Sequence, residues 1–122
     1  MILVDTSVWI DHLRAGNARL VGLLGNGEVL GHPFVVGELS LGNLRSRAAV
    51  LHSLARLPQA IVATDAEVLG FIDRHGLGGS GIGYIDAHLL AAIRLSPGAR
   101  LWTIDRRLGA VATRLNLAMA VV

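Results

Sequence analysis

The first four residues, Met1–Val4, form an unbroken apolar run that stops at Asp5-Thr6-Ser7. A short apolar run bounded by helix-capping residues predicts a buried strand and then a helix, capped at Thr6 or Ser7 and running through Leu13. Gly16 to Gly25 carries a second amphipathic pattern and closes on the turn signal Gly25-Asn26-Gly27. Glu28–Leu30 reads as a short strand. Pro33 suits the first turn of a helix reaching about Gly42, where its missing N–H costs nothing. Ala48, Leu51, Leu54 and Ala55 give Arg45–Leu57 a helical spacing that Pro58 ends. Ala60–Ala63 is expected as a strand. A helix opens at Asp65 with Glu67 and Val68 and runs to about Arg74, and Gly76–Gly83 is a glycine-rich loop. Ile82–Leu95 is the clearest helix of the chain, stopped by Pro97-Gly98. Arg100–Ile104 is expected as a strand, Asp105–Leu115 as a helix and Ala118–Val122 as a last strand. Strands and helices alternate without internal repeats, low-complexity segments or linkers. That order predicts one α/β domain with a mostly parallel central sheet flanked by helices.

The acids interrupt this pattern at informative places. Asp5 ends the first strand and Asp105 ends the strand Arg100–Ile104. In open α/β sheets ligands gather outside the carboxyl ends of the strands, so these two are candidates for one crevice. Taken singly, each reads first as a helix N-cap. Asp86 is harder to dismiss: Ile82, Asp86, Leu89 and Ile93 follow spacings of four, three and four, which puts the acid inside an apolar stripe. Glu38 behaves alike, with Phe34 four before it and Leu41 three after. A carboxylate on a buried face costs several kcal/mol unless it is paired or bound to a metal. One such residue is explained by a salt bridge to an arginine; two of them, plus two acids at strand ends, favour a metal site. All-oxygen ligation of this kind suits Mg²⁺ or Mn²⁺, which orient a water and stabilise a leaving oxygen in phosphodiester hydrolysis.

Composition narrows the chemistry. At 122 residues the chain is long enough for one domain with a real core and too short for two, and with 52% hydrophobic residues it folds. It has no cysteine, which excludes disulfides and thiolate metal sites and fits a reducing cytoplasm. An acid at position 5 precludes a signal-peptide apolar region, and no run approaches the ~18 apolar residues of a membrane span, so a soluble cytoplasmic protein is expected. The net charge is +2, and all 11 basic residues are arginine. Arginine suits planar phosphate recognition, although an all-arginine chain also follows from genomic base composition. The absence of lysine weighs against a phosphatase or phosphoacceptor domain built on a nucleophilic aspartate, which pairs its acids with an essential lysine. With the four candidate acids set aside, five acids face the 11 arginines, a surplus of six positive charges suited to a polyanion.

Four segments follow one another along the chain: Ile2-Leu-Val-Asp5-Thr-Ser7-Val-Trp-Ile, Glu38 in an early helix, Tyr84-Ile-Asp86-Ala-His-Leu-Leu-Ala, and Leu101-Trp-Thr103-Ile-Asp105-Arg-Arg-Leu. In that order they resemble the PIN-domain ribonuclease superfamily, and within it the VapC-type toxins of type II toxin–antitoxin systems. The resemblance spans essentially the whole chain and implies one PIN domain over residues 1–122, with a parallel sheet flanked by helices. It implies that Asp5, Glu38, Asp86 and Asp105 are the Mg²⁺-binding catalytic acids. Ser7 and Thr103 match hydroxyl positions that orient carboxylates or water, and for Ser7 helix capping is the alternative. Family members cut structured RNA, usually a transfer RNA or a ribosomal RNA loop. They are restrained by a cognate antitoxin and commonly form homodimers. A housekeeping PIN nuclease for RNA maturation, or a PIN-like binding module without catalysis, are the alternatives.

Other signals carry less. Gly76-Leu-Gly78-Gly-Ser-Gly81 matches G-x-G-x-x-G, but a helical pattern precedes it, so it reads as a loop ending with Ser80 or Gly81 near a helix N-cap. The five histidines never come closer than 13 positions, so no two-histidine zinc spacing exists, and His88 is expected at the surface or against a partner. Arg106 and Arg107 follow Asp105 and either reach RNA phosphates or make a solvated helix start. Arg14, Arg45 and Arg47 read as ordinary surface residues, and Trp9 and Trp102 as core.

Overall fold

Leu3 and Val4 are fully shielded from solvent because their strand, β1 (Ile2–Val4), is the middle one of three. The computed structural model describes residues 1–120. In it β1 pairs in parallel with β2 (Val29–Leu30) on one side and β3 (Arg100–Trp102) on the other. Ile2, Leu3 and Val4 stand opposite Arg100, Leu101 and Trp102. All three strands therefore end on one edge of the sheet, and the chain leaves each of them toward a helix.

Seven helices are present among the described residues: α1 (Thr6–Ala15), α2 (Ala18–Gly25), α3 (Pro33–Ser40), α4 (Arg47–Ala55), α5 (Asp65–Arg74), α6 (Tyr84–Leu95) and α7 (Arg106–Arg114). The α/β architecture with a parallel sheet is the one the alternating pattern predicts. Helix α6 explains why its signal is so clear: every residue from Ala87 to Ile93 is buried, as expected of a helix covered on nearly all sides. It packs on α5 and β3, while α3 packs on α1 and α4.

Several local expectations change. The α1 cap is Asp5, not Thr6 or Ser7: its carboxylate accepts the Ser7 backbone N–H. Ala60–Ala63 is not a strand. Only Gln59 bridges to Gly31, and the segment then buries Ala60 and Ala63 while exposing Ile61 and Val62, a rhythm that no pleated strand can follow. The Ile61 N–H bonds instead to Ser96 Oγ at the end of α6 (3.0 Å). At the C-terminus Ala118 makes a single parallel bridge to Leu101, and residues 121 and 122 of the expected last strand lie outside those described. Helix α6 begins at Tyr84 rather than Ile82, with Gly83 as its N-cap in place of Ser80 or Gly81. Trp9 is core as expected. Trp102 is only half-buried and lies under the Arg19 guanidinium, 5.7 Å from the ring centre.

Candidate active site

The turns that leave β1 and β3 lie side by side, and hydroxyl groups stitch them together. Asp5 is 5% exposed, and its Oδ2 accepts three hydrogen bonds: from Ser7 Oγ (2.6 Å), the Ser7 N–H (3.3 Å) and Thr103 Oγ1 (2.8 Å). Ser7 Oγ and Thr103 Oγ1 are themselves 3.3 Å apart. Ser7 Oγ also accepts the Ile104 N–H, and Thr103 Oγ1 accepts the Asp105 N–H. Both hydroxyls thus fix the Asp5 carboxylate and join two turns that lie 96 positions apart in the chain. All three bonds fall on Oδ2, and Oδ1 has no hydrogen bond among the described residues.

The remaining acids are each held by one short bond. Glu38, half-buried on α3, accepts from Thr6 Oγ1 at 2.7 Å, which ties α3 to the first turn of α1. Thr6 is a residue that sequence reasoning treats only as a cap. Its one signal is adjacency to Asp5. Asp86 occupies the first turn of α6 and turns its Oδ2 back onto the Gly83 N–H (3.0 Å). Asp105 is the exposed N-cap of α7, with Oδ1 on the Leu108 N–H (2.9 Å). Asp5 and Asp105 are therefore both caps and neighbours, so the plain reading and the functional one describe the same residues.

Asp86 is the acid on which the charges of the other three act. Partial burial raises the Asp86 pKa above the usual carboxylate value, and the negative charges of Asp5, Asp105 and Glu38 raise it further, against the opposing Gly83 N–H bond. None of the four acids is neutralised by an arginine: among the described residues the ion pairs are Arg14–Asp11 and His88–Asp65. A salt bridge is thus not what offsets the cost of placing them there.

The apolar-stripe argument that singles out Glu38 and Asp86 is less accurate than its result. Leu41 is 89% exposed at the end of α3, Ile82 precedes α6, and both acids stand at the rim rather than inside the core. His88 departs further from expectation. It is buried, wedged between the rings of Phe34 (4.6 Å) and Tyr84 (4.8 Å), and its Nε2 meets Asp65 Oδ1 at 3.2 Å. A histidine two residues past an exposed rim position falls on the inward face of α6. Arg106 and Arg107 are exposed at the start of α7, and the Arg107 side chain lies across Gly81. A methyl group at Gly81 would approach Arg107 Cδ to 3.0 Å.

Among the described residues, no group of three or more His, Asp or Glu side chains stands close enough together to hold a metal ion. The donor set nevertheless fits Mg²⁺, which keeps several waters and takes only one or two carboxylates directly. Oxygen donors alone, an excess of unpaired negative charge and an available Asp5 Oδ1 are what such a hydrated cation needs. No helix among the described residues is long and apolar enough to cross a membrane.

No family model matches the chain. Two curated relatives do, each named Ribonuclease VapC32, from Mycobacterium tuberculosis strains CDC 1551 / Oshkosh and ATCC 25618 / H37Rv. Each is 52% identical to it over 120 residues, an alignment covering 98% of this chain and 97% of the relative.

Proposed function

The chain belongs to the VapC family of ribonucleases, and on that premise we propose that it is an endoribonuclease toxin whose single PIN domain, residues 1–122, hydrolyses phosphodiester bonds of structured RNA, a transfer RNA or ribosomal RNA loop. The observation that carries this reading is the set of four acids at the carboxyl edge of the sheet. Asp86 feels the charge of the other three, and among the described residues no arginine is paired with any of them.

Asp5, Glu38, Asp86 and Asp105 would hold Mg²⁺, or Mn²⁺ in its place. When bound, the ion lowers the pKa of a coordinated water and screens the charge that builds on the phosphoryl oxygens. The protein's own part is positional. Ser7 and Thr103 keep the Asp5 carboxylate from rotating, so its free oxygen faces one direction. Thr6 does the same for Glu38, and the Gly83 and Leu108 N–H groups for Asp86 and Asp105. Ionised acids fixed in advance need no reorganisation when substrate arrives. Arg106 and Arg107, exposed beside Asp105, supply cationic contacts for phosphates on either side of the cut.

Restraint by a cognate antitoxin, homodimer formation and residence in the cytoplasm belong to the same reading. Purified protein is expected to cleave RNA with Mg²⁺ or Mn²⁺ and to stop when a chelator is added. Asp5→Asn and Asp86→Asn should each abolish cleavage with an unchanged circular dichroism spectrum. Variants that cut as well as the parent would remove the site assignment.

A further inference from the structure

A cavity of about 510 Å³ opens beside Glu38, between α1 and the loop that joins α3 to α4. Its size lies within the range of small-molecule sites. Ile10 and Leu13 of α1 line one side, 51% and 39% exposed, and Leu44 lines the other. Large aliphatic side chains left open to water at the mouth of a cavity mark a surface that a partner covers. The polar lining is sparse and of a definite kind: Arg14, Arg45, Asn43 and Glu38.

We propose that this cavity receives one unpaired nucleobase of the RNA substrate, next to the bond that is cut. The proposal rests on the ribonuclease reading above and adds the subsite that selects the sequence. Glu38 belongs to both places: it lines the cavity, and its carboxylate is hydrogen-bonded to Thr6, the neighbour of Asp5. An RNA strand whose phosphate lies at the acids therefore has a neighbouring nucleotide within reach of the cavity. Flat apolar faces suit the aliphatic walls. The Asn43 amide offers two donors and an acceptor to the edge of a base, the pairing that amide side chains use for base readout. Arg45 has no acidic partner among the described residues, and Arg14, itself exposed, has only a loose pairing with Asp11 at 3.6 Å, so both cations are available to the phosphates that flank the base.

The loop that forms one wall is braced. The Arg47 guanidinium donates to the carbonyls of Ser40 and Gly42, while Ser46 takes a left-handed conformation (φ 50°) that turns the chain into α4. Asn43, Leu44 and Arg45 are thus presented by a segment tied at both ends, which lowers the ordering cost of binding.

The test maps cut sites in a randomised RNA pool with Mg²⁺. The parent is expected to prefer one base at a fixed position beside the cut. Asn43→Ala should weaken that preference at least fivefold, and Leu13→Trp, which fills the cavity, should erase it. Arg45→Ala should raise KM about tenfold with little change in kcat. Arg56→Ala, which removes the same charge at the opposite end of α4, outside the cavity lining, should alter neither. A parent that cuts without base preference overturns the proposal. So does a preference and a KM that survive Asn43→Ala, Leu13→Trp and Arg45→Ala. If Leu13→Trp spares the cut sites and instead weakens inhibition by the antitoxin, the cavity belongs to a protein partner, and the proposal falls. A parent that cuts no RNA at all removes the ribonuclease reading itself, a failure separate from the others.

Discussion

Burial and three neighbouring carboxylates hold the Asp86 pKa above its unfolded value of 3.8. A raised acid binds its proton more readily when folded, so its contribution to stability is present at low pH and is lost as pH rises through the folded value. At neutral pH the ionised group works against the fold, and either a cation or the loss of the charge relieves it. Asp86→Asn is therefore expected to melt no lower than the parent at pH 7, while losing at least a hundredfold in cleavage rate. Mg²⁺ should stabilise the parent by about 2.7 kcal/mol at a hundredfold excess over its Kd, and the variant much less; thermal melts with and without the ion decide it. An equal shift in both proteins would mean that Asp86 is not a ligand. At this scale the sequence is legible where chemistry and local structure coincide, as at Asp5 and Asp105. The Thr6–Glu38 bond spans 32 positions and has no local signature. The burial of His88 and His32 was equally hidden, because imidazole is polar enough to read as surface wherever it falls.

Element boundaries follow from caps, and the caps here have consequences of their own. His32 begins α3 by accepting the Phe34 N–H on Nδ1 (3.0 Å), and it is fully buried, with Nε2 unpartnered. Burial and the nearby His88 lower its pKa from 6.5 to about 4. A depressed histidine favours the neutral folded form, so its stability is complete above pH 6.5 and drains as pH falls toward 4, by about 3 kcal/mol at most. His32→Asn keeps a capping acceptor without a titrating ring. Urea midpoints at pH 7 and pH 4.5 should fall further for the parent than for this variant, and equal falls would exclude His32 as the source. The loop before α6 gives a second expectation. Gly81 has φ +87° and Arg107 packed against it, so Gly81→Ala should cost roughly 1–3 kcal/mol of strain and displace that guanidinium. Chemical denaturation reads the first effect and a raised KM for RNA the second. Helix α5 is legible from Asp65, Glu67 and Val68, while the Thr64–Glu67 capping box that fixes its start emerges only in the structure. The segment 60–63 misleads: its apolar composition suits a strand, but its N–H groups donate to the Gly31 carbonyl and to Ser96 Oγ.

Across the whole molecule the alternating order of strands and helices is enough to predict a parallel sheet, and the sheet is enough to gather Asp5 and Asp105 at one edge. It does not reveal how far the arginines spread. Apart from Asp5, Glu38, Asp86 and Asp105, five acids face 11 arginines, so RNA binding should be salt-sensitive, weakening about tenfold between 50 and 200 mM NaCl. Fluorescence anisotropy of a labelled RNA on Asp86→Asn protein measures this, and a flat response would exclude phosphate contacts as the main source of affinity. The hydroxyl bridge between Ser7 and Thr103 also has a temporal meaning. During synthesis Asp5 emerges early, but its carboxylate stays unbraced until a threonine translated nearly a hundred codons later arrives beside it. A half-made polypeptide on the ribosome therefore lacks the bonds that fix the Asp5 carboxylate, and they form only once the Thr103 turn has been made and has docked beside the first strand.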